Sequence, residues 1–420
     1  MATRRTKGWT MVGMMAAVCL ILTGCAAKPA AQSIERTAQS NTARHADSTK
    51  TISHGSSTDT HSQTSVPKSF TNSVHTIASN IRMFDANDGI SWGYRGGAFH
   101  LYETNNGGLT WAEKRVPDLP TDQVSANGPG GPDFVYPVIL NSKIWWFTWI
   151  DGGKAHVLST NDSGDSWSIS SFAVPDDVRQ IGGAQFVSPK DGWILCFGGG
   201  NADAVSKYLF HTQTSGKSWT LVNDSTRGLP HNGTSTMMDF GANGKMGVIA
   251  TVDPTTQSIV VDETYDSGLH WHLTTLDAPT TGSEIPTLLM ARAISPHEFL
   301  IESSLPTASG NRLLIQSQFD GGKWISNSVV VGQVQAVASI TPDSLVVLER
   351  NNRREWIMRT IDGGITWYTA ATPLPSTIVG EHLISFDIAD PATWFILAED
   401  DRLTPSLFKS PDAGNHWSQL

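Results

Sequence analysis

The chain has only three cysteines in 420 residues, Cys19, Cys25 and Cys196. So few thiols exclude a disulfide-stapled scaffold, and a packed core has to supply the stability that bridges give to small secreted domains. Positive charge is scarce as well, with 29 Lys and Arg against 39 Asp and Glu. An acidic excess repels phosphate backbones and anionic head groups, so nucleic acid is not an expected partner. No apolar run long enough to cross a membrane as a helix follows Cys25.

The one strongly apolar stretch lies at the beginning. Arg4, Arg5 and Lys7 precede a run from Trp9 to Leu22, which ends in Leu22-Thr23-Gly24-Cys25. Positive charge, an apolar run and small residues before a cysteine describe a lipoprotein signal peptide over 1–24, with Cys25 as the residue that receives diacylglycerol. The mature chain is then expected on the extracytoplasmic face of a bacterial membrane, held there by lipid. Loss of Arg4, Arg5 and Lys7 leaves 26 basic and 39 acidic residues, a net charge of −13. Cys19 leaves with the signal, and Cys196 stands alone in an apolar strand, so no intramolecular disulfide is expected. From Cys25 to Lys68 the chain is rich in Ala, Ser, Thr, Gln and His. That composition cannot bury enough apolar surface to order itself and predicts a flexible tether, with an r.m.s. span on the order of 35–40 Å. His45, His54 and His61 are irregularly spaced and read as solvated linker residues rather than metal ligands.

Residues 69–420 are organised by a repeat. The pattern Ser/Thr-x-Asp-x-Gly-x-Thr/Ser-Trp recurs seven times, ending on Trp111, Trp167, Trp219, Trp271, Trp324, Trp367 and Trp417, at spacings of 56, 52, 52, 53, 43 and 50. The fullest copies carry Thr104, Asn106 and Gly108; Asp162 and Gly164; and Asp362 and Gly364. Others are worn: Thr214 takes the place of the acid before Gly216, while His270 and His416 take the place of the hydroxyl in the copies with Asp266 and Gly268 and with Asp412 and Gly414. The fifth keeps only Ser317, Gly321 and Trp324. Before each box stand two short apolar strands, such as Ala184–Val187 and Trp193–Phe197. With the strand entering the box and the one leaving it, every unit has four strands, and seven such units predict an all-β, seven-bladed propeller with antiparallel blades. The chemistry of the box is that of a turn. Its acid or amide accepts backbone N–H groups, its Gly takes a positive φ, and its Trp fills the gap between sheets. Each box brings one carboxylate where calcium wants six to eight oxygens, so neither metal nor cofactor is expected.

These motifs resemble the Asp-box propellers, a group that includes sialidases, sortilin-type receptors, xyloglucan-degrading hydrolases and the photosystem II assembly-factor family. The resemblance covers about residues 80 to 420, and the opening Asp191-Gly192-Trp193 is most similar to the assembly-factor branch. It implies a non-catalytic scaffold that binds a protein, peptide or glycan, with glycoside hydrolysis as the alternative. For sialidases the resemblance implies three arginines and an Arg-Ile-Pro motif. The corresponding strand here is Asn80-Ile81-Arg82-Met83-Phe84, without the proline, and no Tyr–Glu pair is assignable.

Strand alternation places the boxes on one face and the longer loops, among them Gly198–Lys207 and Arg350–Glu355, on the other. The binding site is therefore expected opposite the boxes, on a face carrying Arg179, Lys207, Arg227, Arg353, Arg354, Glu381 and Asp400. Guanidinium forks suit carboxylate or phosphate partners. Trp145, Trp146 and Trp149 are expected to be core residues, because Trp145 and Trp149 share one strand face and Trp146 points to the other. A monomer is expected.

Overall fold

Each repeat contains a segment that is apolar at consecutive positions, and each such segment becomes the second strand of a sheet. Trp145–Asp151, Gly247–Asp253 and Trp394–Glu399 are buried at almost every residue. A strand without polar alternation needs cover on both faces, and only a neighbouring sheet on each side provides it. The computed structural model describes residues 80 to 420 except 96–97, 118, 121–134, 202–203, 232, 234, 277–284, 296, 308–309, 320, 342, 352–353, 370–373, 375–381 and 401–403. Cys25 and the tether lie outside the described residues, as do Arg353 and Glu381.

The described residues form 28 strands in seven four-stranded antiparallel sheets, each built from four consecutive strands. Blade 1 comprises β1 (Asn80–Met83), β2 (Gly89–Arg95), β3 (Ala98–Thr104) and β4 (Ala112–Lys114). Blade 2 comprises β5 (Tyr136–Ile139), β6 (Trp145–Asp151), β7 (Lys154–Thr160) and β8 (Ser168–Ala173). Blade 3 has β9 (Gln180–Phe186), β10 (Gly192–Asn201), β11 (Ala204–Thr212) and β12 (Thr220–Asp224), and blade 4 has β13 (Thr236–Phe240), β14 (Gly247–Asp253), β15 (Ser258–Thr264) and β16 (His272–Leu276). Blade 5 runs through β17 (Thr287–Ser295), β18 (Glu298–Thr307), β19 (Gly310–Phe319) and β20 (Ile325–Val331). Blade 6 runs through β21 (Gln333–Thr341), β22 (Ser344–Asn351), β23 (Arg354–Thr360) and β24 (Tyr368–Thr369), and blade 7 through β25 (His382–Ile388), β26 (Trp394–Glu399), β27 (Pro405–Ser410) and β28 (Ser418–Gln419). The chain is a seven-bladed β-propeller.

The core is divided between blades rather than held within them. Seven apolar clusters each span one blade-to-blade interface, and each takes in one box tryptophan. Trp167 lies between blades 1 and 2, Trp219 between 2 and 3, Trp271 between 3 and 4, Trp324 between 4 and 5, Trp367 between 5 and 6, Trp417 between 6 and 7, and Trp111 between 7 and 1. Trp146 stacks on Phe186 at 3.7 Å, and Trp193 stacks on Phe240 at 3.9 Å. Trp145 and Trp149 join the cluster on one side of blade 2 and Trp146 joins the cluster on the other, as strand alternation requires.

Side chains of the first strands tie the ring from inside. The Phe240 N–H donates to Gln185, the Ala293 N–H to Asp239, and the Met83 N–H to Asp387. The last of these joins blade 7 to blade 1. There Arg82 Nη1 lies 3.1 Å from Asp387 Oδ1, Lys409 donates to the Ala86 carbonyl, and Leu407 packs with Trp111 and Leu420. Among the described residues the ring therefore closes through side chains, with no strand exchanged between its two ends.

Candidate functional site

The box turns are small closed hydrogen-bond networks. In blade 2, Thr160 Oγ1 donates to Asp162 Oδ1 and accepts the Gly164 N–H, while Asp162 Oδ1 also accepts the Ser166 N–H at 2.9 Å and Oδ2 the Ser166 hydroxyl. The acid is thus spent within its own turn. Hydrogen bonds from the Ser166 hydroxyl and N–H and from Thr160 lower the Asp162 pKa to about 2. His416 does the same for Asp412, whose pKa also falls to about 2, and Asp362 is lowered by Thr366. Around Asp266 burial opposes the fall, but the His270 N–H and imidazole and Thr264 outweigh it. Thr214 reproduces the network without charge, its Oγ1 accepting the Ser218 N–H at 2.9 Å. The box glycines need positive φ, 80° at Gly164 and 83° at Gly216. A Cβ on Gly164 would also stand 3.1 Å from Trp167 and 3.2 Å from Trp145.

Six of the boxes then dock on the turn before the second strand of their own blade. Gly107 N–H donates to the Asn87 carbonyl, and Ser163, Ser215, Ser267, Gly363 and Ala413 make the equivalent bond. In five blades the Trp indole donates to the carbonyl of the box glycine, as in Trp111 to Gly108 and Trp219 to Gly216, with Trp271, Trp367 and Trp417 alike. Trp167 donates instead to the Arg115 carbonyl of blade 1. Blade 5 departs from the pattern: Phe319 occupies the acid position, β19 runs through it, and the Trp324 indole N–H meets no acceptor at hydrogen-bond geometry but lies beside Glu263.

The opposite face differs in detail from its sequence reading. Several segments expected to be loops are continuous hairpins, because the second and third strands extend nearly to each other: β10 reaches Asn201 and β11 starts at Ala204, and β22 reaches Asn351 with β23 starting at Arg354. Lys207 is a correction. It is fully buried, its ammonium donating to the carbonyls of Pro230 and Gly233 at 2.9 and 3.1 Å, so it fastens the connector between blades 3 and 4 from beneath. Arg179, Arg227 and Arg354 are exposed, and Asp400 is half-buried. Arg227 forks onto Asp224 Oδ2 at 3.1 and 2.7 Å, and this bond leads in lowering the Asp224 pKa. Arg179 donates to the carbonyls of Asp176 and Val178, and Asp400 accepts the Thr404 N–H. Arg350 is held by Glu355 at 2.6 Å. These residues stand on separate connectors and hairpins.

Sequence reasoning missed a set of buried ionisable groups in blades 3 to 5. Burial lowers the Lys207 pKa to about 8 and raises the Asp262 pKa to about 7, while their mutual attraction opposes both shifts. Burial raises Asp239 to about 6 against the pull of Arg292, and Glu302 to about 8 against the same arginine. Both carboxyl oxygens of Asp262 and of Glu302 lack hydrogen-bond partners. Perturbed acids are signs of an active site when they meet a cleft. Here Asp239, Asp262 and Glu302 are buried between sheets, out of reach of a substrate. Nothing in the sequence marked them, since Glu and Asp at alternating strand positions ordinarily face water.

No family model matches the chain, and no curated protein matches it in sequence. Among solved structures it is similar to YCF48 from Cyanidioschyzon merolae, with 13% identity over 81% of this chain and 83% of that one and a TM-score of 0.36. It is also similar to the propeller domain of the Trilobed protease from Pyrococcus furiosus, with 10% identity over 82% and 94% and a TM-score of 0.46. The GH74 xyloglucanase from Xanthomonas campestris shows 13% identity over 82% and 73%, with a TM-score of 0.31. At such identities and TM-scores the likeness carries no argument about function, and the propeller stands on the strand order given above.

Proposed function

We propose that this chain is a lipid-anchored envelope protein of the Asp-box type, close in style to the assembly-factor branch, whose propeller binds a protein, peptide or glycan without catalysis. Acylated Cys25 and the tether would hold it to the extracytoplasmic side of the membrane. The observation that carries the reading is the construction of the face opposite the boxes. The connector between blades 3 and 4 is fastened from within by Lys207 and by the Arg227–Asp224 fork, while Arg354 is exposed. Loops fixed before a partner arrives lose less entropy on binding, and arginines on such loops suit acidic groups on that partner.

The experiment is a paired one. Charge reversal at Arg353 and Arg354 should weaken capture of the native envelope partner and leave the melting temperature unchanged, because Arg354 is exposed and an exposed charge contributes little to stability. Binding should also weaken with salt. Turnover of sialosides or other glycans by the purified protein, abolished by replacing Glu381 or Asp400, would overturn the binding reading in favour of a glycosidase. Cys25→Ser should leave an unprocessed precursor or release soluble protein, and normally processed, acylated material from that variant would refute the anchor.

A further inference from the structure

Each full box leaves two side chains outside its own hydrogen-bond network, the residue just before the acid position and the residue just after the box glycine. In blades 2, 3 and 7 these are Asn161 and Asp165, Gln213 and Lys217, and Pro411 and Asn415, all exposed. Blade 1 has Asn105 and Leu109. In blade 4 both positions turn apolar, as Tyr265 and Leu269, and in blade 6 they are Ile361 and Ile365, which are 69% and 71% exposed. Between these two, blade 5 exposes Phe319 from the acid position of its worn box. The strands leaving the three boxes add exposed Leu273, Ile325 and Tyr368, and Asn327 of β20 donates to the Gly363 carbonyl of the next box. Blades 4, 5 and 6 are neighbours, so these side chains make one arc on the face that carries the boxes. Among the described residues, blades 3 and 7 expose no large apolar side chain at all.

We propose that the box face of blades 4 to 6 is a membrane-contact surface, which seats this arc among the head groups and upper acyl chains of the bilayer; the proposal rests on the lipid anchoring proposed above. The shape of the arc selects the occupant. Its apolar side chains stand on separate turn tips, with exposed His270, Lys323 and Thr366 among them. A protein partner needs a continuous close-packed surface at the centre of its interface, whereas a fluid lipid phase closes around single protruding side chains. The turns bring no stranded polar groups with them, since Asp362 accepts the Thr366 N–H and the Trp367 indole donates to the Gly364 carbonyl, and unpaired backbone groups are what apolar lipid excludes. Tyr265 and Tyr368 suit the level of the head groups, where amphipathic rings collect. Charge on the arc is close to balance, with exposed Lys245 and Lys323 against exposed Asp343, so zwitterionic head groups are not repelled although the mature chain carries −13. The blade 1 box docks on Asn87, in the turn after β1, so the chain enters β1 from the opposite face. The 54 residues between Cys25 and Asn80 span about 40 Å as a coil, enough to pass the about 23 Å height of a seven-residue strand. Docking by the box face turns the Arg354 face away from the bilayer and toward a partner.

The test uses the mature chain, residues 25–420, with Cys25→Ser so that no acyl group is attached, and phosphatidylcholine vesicles, read by flotation. Partitioning onto the vesicles is expected, and it should not weaken with salt. Ile361→Asn with Ile365→Asp gives blade 6 the pair that blade 2 carries, and should weaken partitioning at least tenfold. Tyr265→Gln with Leu269→Lys, which gives blade 4 the pair of blade 3, should act in the same direction. Ile169→Ser on β8 and Arg353→Glu with Arg354→Glu should change nothing. Each pair already stands in a box of this protein, and unaltered melting temperatures would show that the fold is intact. The proposal falls if the unaltered arc does not partition, if the blade 4 and blade 6 variants partition as well as it does, or if binding needs phosphatidylglycerol and is lost in salt. Dimerisation without vesicles, abolished by the blade 6 pair, would assign the arc to a second copy and overturn the membrane reading. Because no acyl group is present, failure here leaves the Cys25 anchor and the opposite face standing, and failure of the anchor is read separately from the processing of Cys25→Ser in cells.

Discussion

Blades 2 and 5 have the same four-stranded topology but are stabilised differently. Blade 2 has a full box, in which Thr160, Asp162 and Ser166 satisfy one another and both neighbouring interfaces are filled by stacked or tilted aromatic rings. Blade 5 has Phe319 where the acid belongs, a tryptophan whose indole N–H lacks an acceptor, and a buried Glu302 without a hydrogen bond. It compensates with length: β18 and β19 have ten residues each, against seven in β6 and β7. The difference teaches that the box fixes a turn, whereas the sheet is held by ladder length and by packing against its neighbours.

The largest test of that comparison is at the aromatic stacks. Trp146→Ala removes the partner of Phe186 from a fully buried position and should cost about 3–5 kcal/mol, read as a drop in denaturant midpoint. Trp324→Ala in blade 5 should cost clearly less, since that ring is only partly buried and its N–H already lacks an acceptor. Equal losses would show that the two interfaces are equivalent after all.

Next come the box hydroxyls. Thr160→Ala leaves the Gly164 N–H without its acceptor in a buried turn and should destabilise by about 1–3 kcal/mol. Ser317→Ala, at the same position of the worn box, should change stability by less than about 0.5 kcal/mol. A comparable loss at Ser317 would mean that blade 5 keeps a working box despite Phe319.

How much of this was legible follows from which residues have few conformational options. Spaced glycines at positive φ, a short acceptor and a large ring leave one turn compatible with the pattern, so the repeat, the blade number and the tryptophan positions could be read directly. Lys207 could not. A lysine at the end of a stretch that opens with Gly198–Gly200 reads as a loop charge, and only the path of the connector over it, through Pro230 and Gly233, makes it a buried donor. Loop lengths were overread for a related reason: Gly-Gly-Gly before Asn201 looks like a break, yet the strand takes it up as a bulge between Phe197 and Gly200 and pairs on to Asn201. The buried acids gave no local signal because burial is decided by the next blade, some fifty residues away.

A further test of blade 5 concerns protonation. Glu302 titrates near pH 8 in the fold and near 4.3 when exposed, so the native state binds the extra proton between those values and stability falls as pH rises through that window. Glu302→Gln should flatten this slope, matching the wild type near pH 5 and exceeding it above pH 8 in thermal melts. The box acids run the other way. Asp162 and Asp412, titrating near 2, favour the fold above the ordinary carboxylate pKa, and that contribution disappears as pH falls toward 2. A wild-type melting curve without decline on the alkaline side would remove Glu302 from the account of blade 5.

A linear stack of repeats frays from its ends, because a terminal unit has one neighbour and can leave alone. The side-chain joint of Asp387 with Arg82 and Met83 deprives this array of such ends, so no blade can leave without rupturing two interfaces. Unfolding then has to start by parting one seam, and once a seam parts the ring becomes a linear array with two ends to fray. Kinetic resistance is set by the weakest of seven joints rather than by their sum, and the joint between blades 4 and 5, whose tryptophan comes from the one box with Phe319 in place of the acid, is the one whose hydrogen exchange should lead the rest.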